Sequence, residues 1–149
     1  MPEIVIRPAR AGDSDDIKAL LDRSWRAHWA PHLDMGAWAR YDAAQPVVGY
    51  VDAFVGALTV AERGGVVVGM FHLERTVLHA LHVDSWAIGT GVGRALMDEA
   101  ERQGARRLEV RAFNARARDF YRGRGWVEID DYADEEMGFA VRTVLMERG

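Results

Sequence analysis

Apolar and polar residues alternate along "EIVIRPA" (residues 3–9), the two-residue period of a strand with one buried face. The period then lengthens. In "DSDDIKALLDRSWRAHW" (13–29), Ile17, Leu20, Leu21 and Trp25 recur at helical spacing, with Asp13 or Ser14 placed to cap the start. Pro31 ends that helix, and "DMGAWARYDAA" (34–44) predicts a second, shorter one. Strand patterning returns in "ALTVAER" (57–63) and "VVVGMFHLE" (66–74), joined through the hairpin pair Gly64-Gly65. "TVLHALHVD" (76–84) predicts the next strand, reached across a short turn at Arg75. A helix is predicted from Gly91 to Gln103, closed by Gly104. A strand in "RRLEVRAF" (106–113), a helix in "ARARDFYRGRG" (115–125) and strands in "WVEIDDY" (126–132) and "GFAVRTVLMER" (138–148) complete the pattern. The order β-α-α-β-β-β-α-β-α-β-β predicts one mixed α/β (α+β) domain over residues 1–149, without repeats or linkers.

Composition narrows the function classes. No apolar run approaches the roughly 20 residues that span a bilayer, and the first residues lack the basic-then-apolar order of a secretory signal. The absence of cysteine excludes disulfides, thiolate metal ligands and a cysteine nucleophile. These features predict a cytoplasmic protein that does not act at a membrane. A formal net charge of −4 argues against a nucleic-acid partner, whose binding rests on basic residues. The charge is also uneven. Arg94 to Arg124 holds nine arginines against five acids, whereas Glu128 to Glu136 ("EIDDYADEE") holds six acids and no base. That division suits an anionic cofactor beside a cationic substrate, and equally two solvated faces.

Between the third predicted strand and the helix at 91 lies "AIGTGVGR" (87–94), with glycine at every second position. A dinucleotide fingerprint needs a third glycine five places after the first, but Arg94 and Leu96 stand at those places. A P-loop needs glycine-lysine, and the segment has no lysine. What remains is a strand running through a glycine turn into a helix N-terminus, where unpaired N–H groups attract anions and glycine admits a close oxygen. A bare strand-to-helix turn would use the same residues.

"LHVDSWAIGTGVGRALM" resembles the acetyl-CoA-binding signature of the GNAT N-acetyltransferase superfamily, a strand ending in Val-Asp followed by Arg/Gln-x-x-Gly-x-Gly/Ala. "NARARDFYRGRGW" is similar to that family's Asn-x-x-Ala-x-x-Phe-Tyr-x-x-x-Gly-Phe segment, with Trp126 in place of the last aromatic. The resemblance implies a GNAT-like fold with a central, mostly antiparallel sheet flanked by helices. It implies acetyl-CoA as cosubstrate, with its pyrophosphate on the backbone of Ile88, Gly89, Thr90, Gly91, Val92, Gly93 and Arg94. Leu81, His82 and Val83 would line the pantetheine arm, Asn114 would bond that arm, and Tyr121 would reach the sulfur. Ile88 stands where the family carries arginine or glutamine, which removes one side-chain donor. Dimerisation is common in that family, and nothing in the sequence decides for or against a homodimer.

The activity so implied is transfer of an acetyl group from the thioester to a primary amine, by direct attack in a ternary complex. Tyr121 is the candidate general acid for the leaving thiolate, unless it is the member of the Phe120-Tyr121 pair that only packs. The oxyanion would rest against strand N–H groups near Leu81. His79 is the candidate base, nearest the position where many relatives carry glutamate. Trp25, Trp29, Trp38 and Tyr41 would wall the site of a small-molecule or peptide amine acceptor, and "EIDDYADEE" would hang beside it and favour a cation. No metal is expected. His79 and His82 would point to opposite faces of an unbroken strand, and Pro31 breaks the helical register of His28 and His32. The alternative function is a non-catalytic acyl-CoA-sensing module of the same fold.

Overall fold

In the computed structural model, which describes residues 2–149, the alternating segments become seven strands of one sheet. These are β1 (Ile4–Pro8), β2 (Leu58–Arg63), β3 (Val66–Glu74), β4 (Val77–Val83), β5 (Arg107–Arg111), β6 (Val127–Glu136) and β7 (Phe139–Glu147), ordered β1-β2-β3-β4-β5-β7-β6. Every pairing is antiparallel except β4 with β5. Gly64 and Gly65, at φ 60° and 79°, supply the left-handed backbone that turns β2 into β3.

Five helices flank the sheet: α1 (Ser14–His28), α2 (Met35–Ala44), α3 (Pro46–Phe54), α4 (Val92–Arg102) and α5 (Ala115–Gly123). Ile17, Leu20 and Leu21 of α1 and Val51 of α3 pack on Val60, Val67 and Met70 of the sheet. The opposite face receives α4 through Val92, Leu96, Met97 and Ala100, with Tyr121 of α5 and the buried Trp126. Each large apolar side chain so buried contributes about 1.5–3 kcal/mol. A third cluster joins Trp25, Leu33, Ala37 and Tyr41 where α1 meets α2. Gly69 sets how closely α4 approaches β3. A Cβ there would lie 2.9 Å from Leu96 Cδ1 and 3.0 Å from the His82 carbonyl oxygen.

Four features differ from the sequence reading. The unassigned "PVVGYVDAF" forms α3, started by Pro46 after Gln45 takes a left-handed conformation (φ 45°). Asp13 does not cap α1 with its side chain. It accepts two hydrogen bonds from Arg7 (2.8 and 3.0 Å) and one from the Arg10 amide (2.7 Å), tying β1 to the chain that enters α1. The acidic run does not hang free beyond the strand predicted to residue 132. It is most of β6, paired with β7 as far as Glu136 opposite Phe139. Finally, β4 bulges at His79, since Ala80 faces His72 and Leu78 faces Leu73, leaving His79 without an opposite residue.

Gly69→Ala should destabilise the fold by about 1–3 kcal/mol, because the new methyl meets backbone as well as the Leu96 side chain. A denaturant midpoint equal to that of the native chain would contradict this packing. The hydrogen bonds from Arg7 lower the Asp13 carboxyl from 3.8 to about 2. Its contribution is therefore present above pH 4 and lost as the pH falls toward 2. Stability curves of the native chain and Asp13→Asn should differ at pH 6 and converge near pH 2.

Candidate active site

Only Val77 with Arg107 and Leu78 with Leu108 join β4 to β5. Beyond Leu78 the two strands part, so one side of the β4 backbone keeps β3 while the other opens into a cleft. A cavity of about 650 Å³ occupies that cleft. It runs from the glycine turn before α4, past Leu81, His82 and Val83, to the end of α1 at Ala27, His28 and Trp29. The segment from Phe113 to Tyr121 forms the opposing wall.

The glycine end is a cradle of backbone. Gly89 and Gly91 sit at φ 82° and 96°, and a Cβ at Gly89 would meet nothing within 4 Å. Gly91 is the N-cap of α4 and makes no side-chain cap, so the first amides of that helix are free for an anion. Ile88, Gly89, Gly91, Gly93 and Arg94 line the cavity. Val92 instead lies in the core, fully buried. Thr90 also turns away. Its hydroxyl donates to Ala87 O (2.5 Å) and accepts from Arg63 (3.0 Å), whose other nitrogen donates to Thr90 O (3.1 Å). Arg63, at the end of β2, therefore braces the loop from outside the cavity. Nothing in the local sequence marks it for that role.

Asn114 caps α5 by accepting the Ala117 amide at 3.2 Å through Oδ1, which leaves its NH₂ group for the cavity it lines. Of the Phe120-Tyr121 pair, Tyr121 is the more buried, and both line the cavity. Burial pushes the Tyr121 phenol up to about 12, so it keeps its proton throughout the neutral range. Arg94 and Arg116 line the cavity without an ion pair among the described residues. By contrast, Arg111, Arg118 and Arg124 are each held by carboxylates.

At the α1 end, His82 is half-buried and lines the cavity, and its Nδ1 lies 2.8 Å from Ser24 Oγ. Burial and then the neighbouring His28 lower its pKa from 6.5 to about 4. His28 is lowered as well, by burial and by Arg116 across the cavity. His32 stacks on Phe113 with ring centroids 4.4 Å apart. His79 does not line the cavity. Its ring lies 5.0 Å from that of His72, and Nε2 lies 3.8 Å from Glu74. The bulge also changes the expected facing. His79 and His82 both point toward the α1–α3 side, the first beside the His72–Tyr50 pair and the second against Ser24.

No carboxylate lines this cavity among the described residues, which corrects the expected acidic wall. Four of the six acids of β6 are taken by arginines. Glu128 pairs with Arg118 and Arg122, Asp131 with Arg142, and Asp134 and Glu136 with Arg111. Glu136 also accepts from Trp25 Nε1 at 3.1 Å. Of the four aromatics expected around the acceptor, only Trp29 lines the cavity. Trp25 and Tyr41 stack at 3.7 Å in the core, and Trp38 lies outside the cavity on the surface. Among the described residues no group of three His, Cys, Asp or Glu could hold a metal ion. No helix among them is long and apolar enough to cross a membrane.

The family described as acetyltransferase (GNAT) domain matches residues 43–147. No curated protein sequence matches the chain. Among solved structures, the apo form of YjaB from Escherichia coli is 23% identical, with 97% of each chain covered and a TM-score of 0.79. A GCN5-related N-acetyltransferase from Rhodopseudomonas palustris is also 23% identical, covering 100% of this chain and 98% of its own at a TM-score of 0.78. The PaiA N-acetyltransferase from Thermoplasma acidophilum, in complex with coenzyme A, is 16% identical, covers 94% of this chain and 98% of its own, and has a TM-score of 0.67. At these identities the likeness is one of fold.

Proposed function

The chain belongs to the GNAT acetyltransferase family, and from that premise we propose that it moves an acetyl group from acetyl-CoA to a primary amine by direct attack, both substrates meeting in the one cavity. The reading is carried by continuity: a single cavity joins an anion cradle at the start of α4, the unpaired side of β4, and an aromatic end under α1. The residues present fit the cofactor. Free amides at Gly91 to Gly93 suit a pyrophosphate, with Arg94 beside them, and the open space at Gly89 admits its oxygens. The lost donor at Ile88 is offset by a loop that Arg63 already holds in shape.

Acetyl-CoA supplies the acetyl group as a thioester. The unpaired side of β4 gives an extended arm a strand edge to lie on and directs backbone N–H groups toward the carbonyl oxygen that gains charge. Asn114 NH₂ orients the arm. Tyr121, which burial keeps protonated throughout the neutral range, holds a proton at Oη and delivers it to the departing sulfur. The acceptor end is lined by Trp29, Pro31, His32 and Phe113, so it favours a monoamine with an apolar or aromatic body over a polycation.

A thermal melt with acetyl-CoA, NAD and ATP tests the reading. Ligand at a hundred times its Kd stabilises by about 2.7 kcal/mol, roughly 5–10 °C at this size. A shift with acetyl-CoA alone is expected, followed by amine-dependent release of free thiol. Binding without such release would favour the sensing module, and no shift would overturn the cradle. Gly93→Ala should keep or raise the melting temperature, since a Cβ there meets only ordinary contacts at 3.7 Å, while weakening acetyl-CoA binding by calorimetry. Tyr121→Phe should lower kcat on the order of 10²-fold with the acetyl-CoA shift intact. In an acceptor screen, 2-phenylethylamine should outperform spermidine and a lysine peptide; the reverse order would contradict the apolar acceptor end.

A further inference from the structure

We propose that the His82 side chain takes the proton from the attacking amine through Nε2, with Ser24 holding the ring for that purpose. The proposal rests on the cavity being a site of amine acetylation. It assigns a side-chain role to a residue whose strand position otherwise calls only for backbone.

Three observations converge on this ring. The bulge at His79 turns the strand by one residue, so His82 faces α1 and stands in the cavity wall between Leu81 and Val83. Ser24 Oγ lies 2.8 Å from Nδ1, and both residues are largely enclosed. The Trp29 ring, 5.3 Å away and tilted by 36°, closes a further side. Nε2 has no hydrogen-bond partner among the described residues. When Nδ1–H donates to Ser24 Oγ, the Nε2 lone pair is the free acceptor left to the cavity.

The surroundings keep the ring neutral. Ser24 of α1 and the Trp29 ring lie against it, His28 acts on it through its charge, and Met70 of β3 is its paired residue; His32, Arg116 and Tyr121 line the same cavity. None of these is a carboxylate. Asp84, two residues along the chain, is held by Arg23 at 2.7 Å. A neutral imidazole can accept a proton without first losing one. His79 is less suited, because it lies outside the cavity wall and beside Glu74.

The proton balance closes. The amine enters as the free base, and its C–N bond forms as the C–S bond breaks. One proton leaves nitrogen for His82 Nε2, and one leaves Tyr121 Oη for sulfur. Solvent then carries the proton from the imidazolium back to the phenolate. The nitrogen becomes acidic only as its new bond forms. Charge gained by the carbonyl oxygen offsets the burial penalty that holds the free ring near 4.

Two measurements test the assignment. Nitrogen-15 NMR of the imidazoles in the native chain, with His82→Gln to identify the signal, should show the Nδ1–H tautomer at neutral pH. An Nε2–H tautomer overturns the proposal, whatever the activity. In steady-state assays with the best acceptor of the screen above, His82→Gln should lower kcat on the order of 10²-fold while the acetyl-CoA melt shift persists. Ser24→Ala should give a smaller loss, about tenfold, with the tautomer mixture changed. Native turnover in His82→Gln, or a loss found in His79→Gln instead, overturns the assignment and leaves the acetyltransferase reading standing. Loss of the acetyl-CoA shift from the native chain itself would remove that reading, and this one with it.

Discussion

Two residue pairs hold β4 to β5, and past them the strands part inside a sheet that is otherwise continuously paired. Buried peptide groups require hydrogen-bond partners, so an opened ladder in the middle of a domain is tolerated only where something else can supply them. Much of the site depends on that gap. It exposes an edge of β4 between two helical layers. It leads directly into the glycine turn, whose amides continue the row of donors around the corner into α4. It also lets α1 and α5, on opposite faces of the sheet, contribute side chains to one cavity.

Elements with a strong period were legible in the sequence. The α1 stripe of Ile17, Leu20, Leu21 and Trp25 and the Gly64-Gly65 hairpin carry local signals, and the structure reproduces them. The glycine turn could be read because its three glycines are adjacent in the chain. The failures have non-local causes. The α3 segment mixes valines with a glycine and a proline, so neither period emerges, and packing against α1 makes it helical. "EIDDYADEE" reads as free charge beside the acceptor because its neutralising arginines, Arg111, Arg118, Arg122 and Arg142, come from elsewhere.

The candidate site divides along the same line. The residues placed by the resemblance lie mostly on the cavity, except Thr90, Val92 and His79. The chemistry of His82 could not be read from its neighbours. One extra residue in β4 decides its facing, and its partner Ser24 lies 58 positions away. Arg63 is hidden for the same reason, since its contact with Thr90 spans 27 positions. The arginine-rich composition also gains meaning only in three dimensions. Many of its guanidiniums knit the frame together, while Arg94 and Arg116 stay turned to the cavity.

The ends of the sheet carry a consequence of their own. An outermost strand offers unpaired backbone to any other extended chain, the usual seed of edge-to-edge aggregation. Here β1 is five residues long and ends in Pro8, which lacks an N–H. At the other border β6 is longer, but it is bulged at Ile129 and fringed with carboxylates already bound to arginines. A foreign strand docking there would meet a kinked ladder and a row of charges to strip of water. The same acids that leave the cavity wall without a carboxylate therefore guard the sheet's longest border against polymerisation.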